Sequence, residues 1–440
     1  MKAPKYPFYF IGLSMICLLA CVLMGLTGAF QYVFPALFKS LLSFEKIRPM
    51  HTLFATSWIL LAAIGGIYFY LHQEGLPIKA GRWRPWLHLE LFVGCGLTAA
   101  GLYIAGIFGG REYMEFVYPL SAPILLGWLL FAFNYFTAVA QWTKPWPVYF
   151  WMWATGAVFF IFTFSESFLW LFPYFRNHIV RDITVQWKAN SALVGSWNML
   201  IYGTSIYVMN KIKPDSKSVR GTLPFALFFV GLTNLMFGWA HHTYIVPAAP
   251  WVRHVSYLIS MTEWLLLARV IFTWKKSLLP ETKLLHLMTY KLLYSANVWV
   301  FINLAIALLI SIPAINYYTH GTQITVAHAM GTTIGINTPL LLASLFLILG
   351  QKLKTTQLAL SKWGFLIFHS SLGLFFLGLL LAGLIRSRWM NSATGEMFQE
   401  MHQASLPGFL MTLLSGLGIT TGLVLMLWPL WREVIVRIKR

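Results

Sequence analysis

The chain has 440 residues, 58% of them hydrophobic and only 10% charged, against about 25% charged in an ordinary soluble protein. So few charges cannot cover a soluble fold of this size, and a net charge of +19 gathered in short tracts between long apolar runs excludes a nucleic-acid reading in favour of membrane topology. Three cysteines, Cys17, Cys21 and Cys95, all lie inside apolar runs and form no disulfide framework, CxxC pair or zinc spacing.

Apolar runs of about twenty residues, enough to cross roughly 30 Å of hydrocarbon, recur along the whole chain. In order they are Phe8–Val33, Met50–His72, Trp86–Ile107, Leu120–Gln141, Val148–Phe172 and Lys188–Asn210, then Thr222–Tyr244, Trp251–Trp274, Tyr290–Ile312, Gln323–Gly350, Gly364–Ile385 and Leu406–Trp431. The first run is too long, and lacks the small-residue cleavage site, for a removable signal peptide. No soluble segment, short repeat or low-complexity stretch interrupts the series. The pattern predicts an all-α integral membrane protein of twelve transmembrane helices, one polytopic domain over residues 1–440.

Loop charges orient it. With both termini in the cytoplasm, the inner loops carry Lys79, Arg82, Arg84, Lys211, Lys213, Arg220, Lys275, Lys276 and Lys352 among others, roughly twice the outer tally of Lys and Arg, as the positive-inside rule requires. Aromatic residues at 17%, with twenty tryptophans, suit bilayer interfaces and large flat ligands.

Polar groups in a bilayer are costly and mark function, so the histidines are read by depth. His51 opens the second run, His241 and His242 close the seventh, and His328 lies early in the tenth. All four fall toward the outer side, and independent core histidines have no reason to share a level. In the segment Thr319-His320-Gly321-Thr322-Gln323-Ile324-Thr325-Val326-Ala327-His328-Ala329-Met330-Gly331, His328 and Met330 are two apart and point about 200° apart on a helix. Imidazole and thioether are both axial haem ligands, so one helix offers a ligand to a haem on each face. Adjacent histidines diverge by about 100° on a helix, so His241 and His242 share a metal only where the helix ends; Pro247 and Pro250 follow closely and supply such an end.

At these residues the sequence resembles the haem-copper oxidase superfamily, and within it the catalytic subunit of nitric oxide reductases. The carriers are the His241-His242 pair, the HGTxxTxAH segment, and Arg111-Glu112-Tyr113-Met114-Glu115, whose REYxE pattern looks like a reductase signature. The resemblance implies a subunit I-like bundle with two haems b, one low-spin and one high-spin, a non-haem iron and a calcium ion. It implies that His51 and Met330 ligate the low-spin haem, that His328 is proximal to the high-spin haem with His320 among the cofactor-binding residues, and that His241, His242 and Asn190 hold the iron. Glu263 would approach that iron or relay protons. Arg111 would pair with a haem propionate, Glu112 would bind calcium, and Glu112, Glu115 and Glu263 would carry protons. No CxxCH haem-attachment motif is present, so a cytochrome c-type or other electron-donor subunit is expected at the outer face of a bacterial inner membrane, with NO as substrate and no nucleic-acid partner.

The chain departs from that family's pattern where an iron histidine and a nearby glutamate are expected: Asn190 and Val194 stand there, and Met330 stands for a histidine. An amide oxygen is a weaker ligand than imidazole for a mid-row metal, and thioether ligation raises a haem's potential. Two chemistries fit: reduction of NO to N₂O, or dismutation of 2NO to N₂ and O₂, an activity proposed for relatives with such altered ligands. Oxygen reduction is less favoured, because no motif for the crosslinked tyrosine is found. A haem-free twelve-span transporter is the reading from outside the superfamily.

Overall fold

The structure, a computed structural model, describes residues 4–78, 81–242, 249–392, 395 and 397–439; the side chains of His241 and His242 lie outside the described set. In chain order the helices are α1 (Tyr6–Val33), α2 (Phe44–Gln73), α3 (Arg84–Ile104), α4 (Ser121–Val139), α5 (Val148–Glu166), α6 (Pro173–Arg176), α7 (Ile179–Ile212), α8 (Ser216–Arg220) and α9 (Thr222–Phe237). They continue as α10 (Pro250–Ser277), α11 (Pro280–Leu285), α12 (Leu287–Ile310), α13 (Pro313–Thr319), α14 (Gln323–Met330), α15 (Thr338–Leu349), α16 (Thr355–Met390) and α17 (Phe398–Lys439). Proline stands in the first turn of many of them, α3, α10, α13 and α15 included, where its missing N–H has no helical partner to lose.

Among the described residues eleven helical segments are long and apolar enough to span a membrane, one fewer than expected. The sixth expected span is the one that falls short in hydropathy. It lies on α7, a continuous helix of 34 residues, but Asn190, Ser191, Ser196, Asn198, Thr204 and Ser205 dilute its apolar character. The tenth expected span is also not a plain α-helix. α14 and α15 form one rod joined by a π-helical stretch, Gly331–Asn337.

α15 is buried along its entire length and α2 is buried from Trp58 to Leu71, so these two make the centre and the other helices ring them. Helices in lipid gain nothing from hiding leucine, and instead use small residues to bring backbones together. The α16–α17 crossing shows it: a Cβ on Gly364 would lie 2.7 Å from the Gly422 carbonyl oxygen, and one on Gly378 would lie 2.8 Å from that of Gly408. Any larger residue at either crossing forces the pair apart.

At one end of α2, Glu74 is held by Lys211 at 2.7 Å and by the Tyr207 hydroxyl at 2.8 Å. His51 stands near the other end, 23 positions away, or about 35 Å at 1.5 Å per residue. The Arg111–Glu115 loop and the start of α7 join α2 at the His51 end.

Candidate haem and metal site

His51 projects from α2 toward α1. Its Nδ1 lies 2.8 Å from the Cys21 carbonyl oxygen, and Gly25 faces the ring so closely that a Cβ there would sit 2.9 Å from His51 Cε1. A carbonyl can only accept, so Nδ1 carries a proton, and in the neutral ring Nε2 presents its lone pair. That is the tautomer a metal-ligating histidine needs, fixed by its outer partner. Residues 51–57 are all partly exposed, in contrast to the buried run that follows. Seven successive residues cover every face of a helix, so this end of α2 is loosely walled on all sides, which fits a flat ligand standing against it.

α14 starts where the Thr322 hydroxyl accepts from the Ile324 N–H at 3.3 Å, capping the helix that carries His328 and Met330. The His328 ring tilts against Trp264 of α10 with centroids 5.8 Å apart. His320 and His328 line one small cavity of about 50 Å³ together with Trp187, Met261, Asn316 and Thr325. Three residues beyond Trp187 on α7 stands Asn190, whose Oδ1 accepts from Gln186 Nε2 at 3.3 Å. Lys188, between them, pairs with Glu166 at the end of α5. His328, His320 and the Asn190 stretch of α7 are therefore brought together.

Glu263 is buried in α10 with 2% exposure and accepts from Asn234 Nδ2 on α9. Asn234 Oδ1 in turn accepts from Ser260 at 2.6 Å, and Ser256 reaches the Gly238 carbonyl at 2.6 Å. Gly238 begins the short turn Gly238–His242 that ends α9. Glu263 is seven positions from Ser256, about 10 Å along the helix axis, so its carboxylate lies deeper than the turn bearing the histidine pair. The side chains of His241 and His242 lie outside the described residues. Within the described set no three His, Cys, Asp or Glu side chains cluster as a metal site.

The Arg111–Glu115 loop fastens this end of the bundle. Arg48, one turn before His51 on α2, places Nη2 2.7 Å from Glu115 and Nη1 3.6 Å from Glu112. Arg111 reaches not into the bundle but to Asp182, at 2.8 Å, near the start of α7, and lies over the Trp170 ring. Tyr113 is held at φ 70°, a left-handed conformation that costs a non-glycine residue about 1 kcal/mol or more. The loop thus ties the His51 helix to the Asn190 helix. Sequence reasoning missed Arg48 and Gln186, each one turn from a singled-out residue on the same helix face.

Burial pushes the Glu115 carboxyl above the ordinary carboxylate range, while the Arg48 charge pulls it back; among the described residues its Oε2 is buried without a hydrogen-bond partner. An acid raised by folding adds stability below its ordinary pKa and loses it as pH climbs through the raised value. Arg48→Met is therefore expected to cost about 1–2 kcal/mol, less than a fully buried pair because Arg48 is half-exposed. The deficit should widen as pH rises from the carboxylate range toward neutrality, and Glu115→Gln in the same background should flatten it. Thermal unfolding of the detergent-solubilised protein against pH checks this, and a deficit independent of pH refutes it.

The comparisons with known proteins agree with this architecture. The family model for cytochrome c and quinol oxidase polypeptide I matches residues 6–417. The chain is 24% identical over 463 aligned residues to a nitric oxide reductase subunit of Stutzerimonas stutzeri, covering 96% of this chain and 92% of that one. Its fold is similar to that of a haem-copper terminal oxidase dimer solved by cryo-EM, with TM-score 0.71 and 14% identity over 98% of this chain and 84% of the other.

Proposed function

Because the chain belongs to the cytochrome c and quinol oxidase polypeptide I family, within the haem-copper oxidase superfamily, we propose that it is a nitric oxide reductase-like catalytic subunit. The reaction is 2NO + 2e⁻ + 2H⁺ → N₂O + H₂O. His51 and Met330 would hold a low-spin haem b, His328 a high-spin haem b with His320 lining the same cavity, and His241, His242 and Asn190 a non-haem iron. His51 fits that role through its fixed tautomer. When bound, these groups supply the redox equivalents and the Lewis acidity that the chemistry needs.

What the polypeptide itself contributes is binding, orientation and protons. The observation that carries the reading is Glu263: a carboxyl buried in the bundle whose described partner is an amide rather than a cation. Such a group can hold a proton and pass it on, as a reaction consuming two protons per turnover requires. Its depth below the Gly238–His242 turn favours the relay role over direct ligation. Glu112 and Glu115, tied to Arg48, stand where protons would enter from the outer side. Glu112 is the residue proposed for calcium, with the unpartnered Oε2 of Glu115 nearby as a second hard donor. Electrons would come from a cytochrome c-type or other donor subunit at that face of a bacterial inner membrane, with both termini of the chain in the cytoplasm.

A second reading, dismutation of 2NO to N₂ + O₂, is favoured by one observation. The Asn190 amide is a weak ligand already engaged by Gln186, and Val194 brings no carboxylate to the next turn. Dismutation needs no net electrons or protons. The purified protein should show a two-haem visible spectrum, and anaerobic NO consumption should yield N₂O only when reductant is present. N₂ and O₂ in the headspace without reductant favour dismutation, and a protein lacking haem refutes both.

A further inference from the structure

The π-helical stretch that follows Met330 is pinned from outside its own rod, and the pins lead back to His328. Asn303 of α12 is fully buried, and its Nδ2 donates to Thr332 Oγ1 at 2.8 Å. The Thr332 hydroxyl passes its own proton on to the His328 carbonyl oxygen at 3.2 Å. Amide, hydroxyl and carbonyl thus form a directed chain in which each bond polarises the next. Gly331 makes room for it, since a Cβ there would lie 2.5 Å from Asn303 Oδ1.

Two further observations show what the arrangement secures. Among the described residues Asn303 Oδ1 is buried with no hydrogen-bond partner, a cost of roughly 1–3 kcal/mol, so what the amide contributes here is its donor side. A π-helix also displaces the ordinary i→i−4 bonding, and hydroxyls fall on carbonyls at both its ends: Thr333 on Ala329 at 2.9 Å, and Thr338 on Thr333 at 2.9 Å. Trp58 of α2 donates to Thr338 Oγ1 at 3.3 Å. The stretch is gripped by α12 on one side and α2 on the other, directly beyond the two residues proposed as ligands.

We propose that Asn303 and Thr332 are positioning residues for His328, setting the placement of its backbone and through it the bond its imidazole makes. This rests on the reading of His328 as a haem ligand. A ligand's outer partners tune both its orientation and its donor strength, so loss of the chain shows first in the ligand bond and only afterwards in turnover.

The test uses the holoprotein and resonance Raman of its ferrous form. Thr332→Val keeps shape and removes the hydroxyl, Thr332→Ser keeps the hydroxyl, and Asn303→Leu removes the donor. Thr332→Val is expected to shift the iron–histidine stretching band and the high-spin haem midpoint at unchanged haem content, with Asn303→Leu following it and Thr332→Ser remaining at wild-type values. A Thr332→Val protein with wild-type band and midpoint overturns the inference. His328→Ala should abolish the band; its persistence there overturns the ligand reading and this inference with it.

Discussion

Asn190→His combined with Val194→Glu is expected to raise the rate of N₂O formation by about tenfold or more, since a positioned acid or base commonly contributes ~10²–10⁴-fold, and to bring the N₂O formed per NO consumed up toward the one-to-two ratio of reduction. Asn190 and Val194 are one turn apart on α7, hence on one face, and both are partly exposed. At present that face offers an amide oxygen turned to Gln186 and a hydrocarbon branch. Imidazole would strengthen one metal bond, and a carboxylate beside it would hold a proton within reach of the departing oxygen. Forming N₂O and water consumes two protons, whereas dismutation consumes none, so the substitution should move the product ratio as well as the rate. Headspace analysis after anaerobic turnover, beside an iron assay, decides it. A double variant with normal iron and flat or falling N₂O yield would falsify the argument from ligand and proton.

Met330→His carries the second large effect. With His51 locked by the Cys21 carbonyl, the substitution would alter one side of the proposed low-spin haem only. Replacing a thioether with imidazole should lower its midpoint potential by on the order of 100 mV, a fraction of the roughly 0.8 V that axial ligands command, and convert a His/Met spectrum to bis-histidine. Met330 is partly buried against the core, so the ring must be accommodated locally. A titration and spectrum matching wild type would remove Met330 from the ligand set.

Much of the bundle was legible because lipid imposes one rule on every span, and lengths of apolar chain obey it visibly. Glu263 was legible only through the resemblance, and its burial at 2% exposure is what the structure adds. What escaped is what depends on pairs. Arg48 was absorbed into the loop charge tally, although its spacing of three from His51 puts both on one helix face. Asn234, which donates to Glu263 and accepts from Ser260, is brought to them only when α9 folds back on α10. The π-helical turn has no residue signature; Gly331 and Gly335 declare themselves only where Asn303 and Trp299 pack against them. α7 was legible as a span by length, but of its polar residues only Asn190 was read, as a candidate ligand, and their combined effect on hydropathy was not.

That polarity bears on how the protein is made. A segment with this many amides and hydroxyls partitions poorly into the bilayer on leaving the translocon. Its polar groups find partners on helices synthesised both earlier and much later: the Thr204 hydroxyl accepts from Trp153 of α5 at 3.2 Å, Glu74 of α2 accepts from Tyr207, and Asn198 accepts from Asn337 at 3.4 Å. Asn337 is 139 residues further along the chain. The polar side chains of α7 thus have their full set of partners only once the Asn337 stretch is also in place. A nascent chain halted before that point would leave the Asn198 amide without its Asn337 partner, an unpaired polar group that costs roughly 1–3 kcal/mol once buried.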